Sequence, residues 1–147
     1  EAFNEHEHID TDPCAGPGTS IGDTNHMEAD DGLSRPWRGV VFMNPPFSEK
    51  GAWLQRAVSE IENGNAKRIY AVTPDSTTTK SWWHGIIAKH AIHVWFPEGR
   101  LKYYDPMQDK VLGSPSFGSS IACFGEEPPK DLQVWFQVNG WLVQTIK

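Results

Sequence analysis

Short apolar runs separated by polar, glycine- and proline-rich turns set the pattern of this chain. The continuous run Val40-Val41-Phe42-Met43 predicts a buried strand. It stops at Asn44-Pro45-Pro46-Phe47, because two prolines bar a helix and fix an extended exit. Ile9-Asp10-Thr11 predicts a short strand after a polar opening, and Asp12-Pro13-Cys14-Ala15-Gly16-Pro17-Gly18 a turn directly after it. Residues 19–32, rich in Gly, Asp and Thr, predict a mobile connection. Leu54, Ala57, Val58 and Ile61 fall on one face of a helix predicted over about 49–62, with Ser48 as its N-cap and Asn63-Gly64 as its stop.

Arg68-Ile69-Tyr70-Ala71-Val72 predicts the next strand, leaving through Thr73-Pro74-Asp75, and a helix follows near 79–89. His93-Val94-Trp95-Phe96 is a third strand, which Leu101-Lys102-Tyr103-Tyr104 continues after Gly99. The Pro, Gly, Ser and Asp of 104–118 predict a loop, and Ser119-Ser120-Ile121-Ala122-Cys123-Phe124 a further strand. Val134-Trp135-Phe136-Gln137-Val138 and Trp141-Leu142-Val143-Gln144 flank Asn139-Gly140, a strong hairpin signal. Alternating strands and helices predict an α/β fold with a largely parallel sheet and a C-terminal antiparallel hairpin.

Composition narrows the class. With 147 residues, 38% hydrophobic content, seven Trp and seven Phe, the chain suits one globular domain. No apolar stretch approaches the ~18 residues of a membrane span. The opening Glu1-Ala2-Phe3-Asn4-Glu5 is not a signal peptide. Cys14 and Cys123 form no CxxC and suggest no disulfide framework, so a reducing cytoplasm is the expected setting. A net charge of −6 argues against a protein that coats nucleic acid through bulk electrostatics, while the basic residues Lys50, Arg56, Lys67, Arg68, Lys80, Lys89, Arg100 and Lys102 leave room for a local basic face.

Three segments carry candidate chemistry. In open α/β sheets ligands bind beyond the carboxyl ends of the strands. There the Asn44 amide, the rigid Asn44 and Pro45 carbonyls and the Phe47 ring suit a flat group carrying an NH2. In the turn after the first strand, Gly16 and Gly18 allow close backbone approach and the Asp12 carboxylate can accept hydrogen bonds from an amine or ribose; no GK[ST] follows, so phosphate cradling is not supported. Asp30-Asp31-Gly32-Leu33 sets two carboxylates before the strand that ends at Asn44. His6, His8 and Cys14 lack zinc-site spacing, so no metal is expected; His84, His90 and His93 are surface or packing residues, and Cys14 has no partnered histidine that would make it a nucleophile.

An acidic Gly-containing turn, Asp31-Gly32-Leu33 with Trp37 four residues on, and a strand ending in Asn-Pro-Pro-aromatic together resemble the S-adenosylmethionine-dependent amino-methyltransferases. More narrowly, Thr73-Pro74-Asp75-Ser76-Thr77-Thr78, Trp82-Trp83-His84, Glu98-Gly99-Arg100-Leu101 and Ser114-Pro115-Ser116-Phe117 follow in the order of the phage-type DNA N6-adenine methyltransferase (Dam-like) family, over roughly residues 8–125. The resemblance implies a Rossmann-like methyltransferase sheet and methyl transfer to the N6 amine of a flipped-out adenine in double-stranded DNA. It assigns Asn44, Pro45, Pro46 and Phe47 to the target base, Asp12, Pro13, Cys14, Ala15, Gly16 and Gly18 to the methionine part of S-adenosylmethionine, and Asp30 or Asp31 to its adenine. Lys50, Arg100 and Trp82 are the expected DNA contacts. The family carries a Thr-Pro-containing segment upstream that this sequence does not include, so the expectation is one domain over 1–147 lacking that cofactor-binding segment. An RNA base or a protein glutamine as substrate, or a non-catalytic nucleic-acid-binding relative, are the alternatives, and so small an enzyme invites a homodimer.

Overall fold

The computed structural model describes residues 2–18, 21–100, 104–105, 110–111 and 118–146. Seven strands form one sheet in the order β2-β1-β3-β4-β8-β5-β9. They are β1 (Thr11–Asp12), β2 (Thr24–Asn25), β3 (Gly39–Met43), β4 (Ala66–Pro74), β5 (His93–Pro97), β8 (Ser119–Gly125) and β9 (Gly140–Gln144), while β6 (Tyr104–Asp105) and β7 (Lys110–Val111) pair separately. β1 is parallel to both β2 and β3, and β3 to β4. The pairs β4–β8, β8–β5 and β5–β9 are antiparallel. Strands β1 to β5 therefore share one direction and only β8 and β9 oppose it. The fold is a mixed α/β one, parallel in its first half and antiparallel in its second.

Helices cover both faces, as a sheet buried on two sides requires. On one face α2 (Lys50–Glu62) and a wide helical segment, Lys80–Ile87 running into α3 (Ala88–His90), bury Trp53, Leu54, Trp82, Trp83 and Ile86 against Val41, Met43, Ile69 and Phe124. Across that wide segment His84 N–H donates to the Thr79 carbonyl and Ala88 N–H to that of Trp83, so each ring spans five residues and is π-helical. On the other face α1 (Ala2–His6) and α4 (Lys130–Val138) cover Val40, Tyr70, Val72, Trp95 and Ile121, with the Phe3 ring edge-on to Tyr70 at 4.8 Å.

Several expectations change. The C-terminal hairpin is not formed: residues 130–138 are helical, and β9 pairs with β5 instead. Pro129 caps α4, Asp131 sits in its first turn, and Leu132 and Phe136 four apart are the residues it buries, a helical period that outweighs the β-propensity of Val-Trp-Phe-Gln-Val. Asn139 N–H donates back to the Trp135 carbonyl, so Asn-Gly ends a helix rather than turning a hairpin. Ser48 is not an N-cap: Phe47–Glu49 form a 3-10 turn and α2 starts at Lys50. Residues 21–32 are held, not loose, since Asp23, Thr24 and His26 N–H donate to the carbonyls of Ile9, Asp10 and Asp12. The proposed extension 101–103 and most of 104–118 lie outside the described residues.

Candidate active site

The sheet changes direction of growth at β1, whose neighbours are β2 on one side and β3 on the other. In open α/β sheets ligands bind beyond the carboxyl ends of the strands at such a point. The turn after β1 and the Asn-Pro-Pro-Phe turn after β3 both leave from it.

The first wall is the Asp12–Cys14 turn. Asp12 is 4% exposed; Cys14 N–H donates to its Oδ1 at 3.1 Å, and its carbonyl accepts from His26 N–H at 2.8 Å. Ala15 N–H closes the turn on the His26 carbonyl at 2.9 Å. Burial pushes the Asp12 carboxyl up to about 6, against the Cys14 N–H that favours the charged form. Burial and the neighbouring Asp12 push the Cys14 thiol up to about 12, against a hydrogen bond from the Asn44 backbone. Cys14 is thus protonated at neutral pH and no nucleophile, and that hydrogen bond joins the two turns.

The second wall is the segment 28–37. Asp30 spends its carboxylate on the Met27 N–H at 2.9 Å. Asp31 takes the left-handed conformation, φ 51°, unusual for a residue with a side chain, and is exposed; among the described residues its carboxylate has no hydrogen bond. Gly32 is where a side chain cannot stand, because a Cβ there would run into the Pro13 carbonyl. Its own carbonyl accepts from the indole N–H of the fully buried Trp37 at 2.8 Å, and Trp37 stacks on Trp53 of α2.

A buried carboxylate that the sequence does not advertise fixes this wall. Glu60 of α2 is 0% exposed and accepts from Arg56 at 2.7 Å, Asn65 at 2.8 Å, Asn63 at 3.1 Å and Trp37 N–H at 3.4 Å. Arg56 also donates to the carbonyls of Leu33 and Arg35. Burial alone would raise the Glu60 carboxyl, yet the hydrogen bonds from Asn65, Arg56 and Asn63 and the Arg56 charge hold it below the usual carboxylate range. Glu60→Ala leaves these donors unpaired and is expected to lower stability by about 3 kcal/mol, read from urea denaturation.

At the third wall Asn44 is exposed, with no side-chain hydrogen bond among the described residues, whereas Pro45 is buried. Only the backbone of Phe47 is described, so the place of its ring lies outside the described residues. On the strand beside β3, Thr73 is registered with Ser120 of β8, and among the described residues both hydroxyls are buried without a hydrogen-bond partner. The sequence reading missed them, and a Thr-Pro exit gave the only signal.

Residues 2–131 match the DNA N-6-adenine-methyltransferase (Dam) family. The chain belongs to that family. Membership implies DNA adenine N6-methyltransferase activity, and enzymes of this kind normally use S-adenosylmethionine. No curated protein matches the chain. The resemblance read over 8–125 falls within the matched segment.

The remaining candidates of this Dam-family chain are placed as follows. Arg100 is exposed and follows β5, so it stands at the same edge of the sheet as the turns after β1 and β3. Lys50 holds its ammonium 5.2 Å from the Trp82 ring centroid, and Trp82 is 9% exposed in the core; a base can stack on it only if Lys50 moves. His6, His8 and Cys14 do not assemble: His6 bonds Asp131 and His8 bonds Asp23. His8, Asp10 and Asp23 do group, but in an exposed position where His8 already pairs with both carboxylates. Among the described residues no helix is long and apolar enough to cross a membrane.

Proposed function

We propose that this chain transfers a methyl group from S-adenosylmethionine to the N6 amine of an adenine flipped out of duplex DNA, in the crevice between the ends of β1 and β3. We read the sheet as a Rossmann-like methyltransferase sheet on the same ground, the change of direction at β1. The observation that carries the proposal is the free Asn44 amide, fixed by two prolines and tied by its backbone to the Asp12–Cys14 turn.

The donor set suits the cofactor. Asp12 is a buried carboxylate with no cationic partner among the described residues, which fits the ammonium of a methionine group; the backbone of Pro13 to Gly18 lines the same turn. Asp31 rather than Asp30 has its carboxylate to offer to the adenosine part, since Asp30 is engaged in its own turn. When bound, S-adenosylmethionine supplies a methyl carbon made electrophilic by its sulfonium.

The exocyclic amine of adenine is a poor nucleophile, because its lone pair is delocalised into the ring. The Asn44 Oδ1 and the Pro45 carbonyl accept its two hydrogens and favour a pyramidal nitrogen whose lone pair points out of the ring plane. Pro46 and Pro45 hold both acceptors rigid, so little reorganisation is needed. Phe47 stacks on the base, and Lys50 and Arg100 contact the phosphates around the flipped nucleotide. Carbonyl oxygens are weak bases, so the proton released from N6 passes to water.

Methyl-labelled S-adenosylmethionine, incubated with the protein and adenine-containing duplex DNA, is expected to label N6-methyladenine in the digest. Label that appears only in RNA or in protein glutamine, offered as competitors, would move the proposal to that substrate; cofactor binding with no transfer to any of them would leave a non-catalytic relative.

A further inference from the structure

Among the described residues, four of the five exposed large apolar side chains, Val134, Val138, Trp141 and Ile146, fall at 134–146. Residues 132–146 include no Asp, Glu, Lys or Arg, in a chain of net charge −6. The strand in this stretch, β9, is the last of the sheet, and among the described residues nothing pairs with its outer side. Natural edges are usually blunted by Lys, Pro or a bulge. β9, Gly-Trp-Leu-Val-Gln, has none of these and runs in unbroken register with β5.

The ladder shows which backbone groups are free. Glu98 N–H donates to the Asn139 carbonyl and Thr145 N–H to the Ile92 carbonyl, both at 3.0 Å. Inward and outward bonding alternate along an antiparallel strand. Trp141 and Val143 therefore share the inward set with Asn139 and Thr145, and Gly140, Leu142 and Gln144 direct N–H and C=O outward.

We propose that β9 pairs antiparallel with β9 of a second copy, with Leu142 on the two-fold axis. The outward set is symmetric about Leu142: Gly140 then faces the partner's Gln144, and Leu142 faces itself. Trp141, 68% exposed and tilted against Phe96 with ring centroids 5.6 Å apart, lies against the partner's Val143, twice by symmetry. Antiparallel pairing also brings the exposed Ile146 of each copy toward the Val138–Asn139 end of the other. One operation thus covers three of the exposed apolar side chains and both free edges. A second copy fits better than a nucleic acid, which needs cations this stretch lacks. It also fits because two chains of charge −6 meet here without opposing like charges.

Sedimentation of the 147-residue chain at roughly 100 µM, well above a micromolar Kd, is expected to give twice the 16.5 kDa of one chain. Gln144→Pro removes an outward N–H and spares the ladder to β5; Trp141→Lys sets a charge at each end of the new pairing. Each is expected to weaken the dimer at least tenfold while the circular dichroism stays that of the parent. A monomeric parent overturns the proposal, leaving the edge to some other partner, and so does a dimer that survives in either folded variant. Should Gln144→Pro not fold, Trp141→Lys decides, because its side chain is exposed in the single chain.

Discussion

Asn44→Ala is expected to lower the rate of methyl transfer by on the order of 10²–10³-fold, the loss seen when one preorganised polar group facing a reacting centre is removed. The fold should not notice: Asn44 is exposed and makes no side-chain hydrogen bond among the described residues, so unfolding stability should stay within the roughly ±0.5 kcal/mol band of ordinary surface changes. Affinity for S-adenosylmethionine should also hold, because the proposed role sets the amide against the target amine rather than the Asp12 turn. Single-turnover methylation, calorimetric cofactor binding and thermal unfolding separate these effects. A variant as active as the parent would sink the role given to Asn44, and one that lost cofactor binding would move Asn44 to the other wall.

Asp12→Asn should act with opposite signs on stability and on function. The carboxyl is at about 6 in the fold against 3.8 as a free group, raised by burial. An acid whose folded value is raised contributes stability that is fully present below the unfolded value and lost as pH rises to the folded one. Here the window runs from about 4 to about 6, and above it the ionised carboxylate costs up to roughly 3 kcal/mol, at about 1.4 kcal/mol per unit. The asparagine keeps the oxygen that Cys14 N–H needs and never ionises. It should therefore be more stable than the parent at pH 8 by about 1–3 kcal/mol and nearly equal to it at pH 4. Cofactor affinity should fall by about 100-fold, as for a charge-assisted hydrogen bond lost from a buried site. In the parent, affinity should rise as pH passes through about 6. Parallel melting curves and calorimetry at both pH values test this, and a variant that loses stability at pH 8 would make Asp12 a structural residue instead.

The Asn-Pro-Pro-Phe turn is written in the sequence more plainly than its surroundings. An uninterrupted apolar run ending in Pro-Pro can only be a buried strand leaving the sheet, and β3 ends at Met43 as that pattern requires. The segment from 21 to 32 looked loose because its order rests on backbone hydrogen bonds to 9–12, which composition does not reveal. The choice between Asp30 and Asp31 could not be made from the sequence, since it depends on which carboxylate folds back on its own turn. Glu60 reads as a solvent-facing helix residue; only Arg56 one turn earlier, with Asn63 and Asn65 after it, hinted at a buried cluster. In α4 a β-rich run and an Asn-Gly pair pointed one way, and the preceding Pro128-Pro129 with Leu132 and Phe136 four apart won.

The Glu60 cluster has one more consequence. Arg56 and Glu60 bind Leu33, Arg35 and Trp37 to α2 by side-chain hydrogen bonds, so the loop that carries Asp31 and Gly32 borrows its rigidity from a helix rather than from the strand it leads into. Loop and helix then open together as one unit of local unfolding. Because α2 also covers Val41, Met43 and Ile69, losing that unit bares one face of the parallel half, so the loop of Asp31 and Gly32 holds as long as the sheet beside it holds.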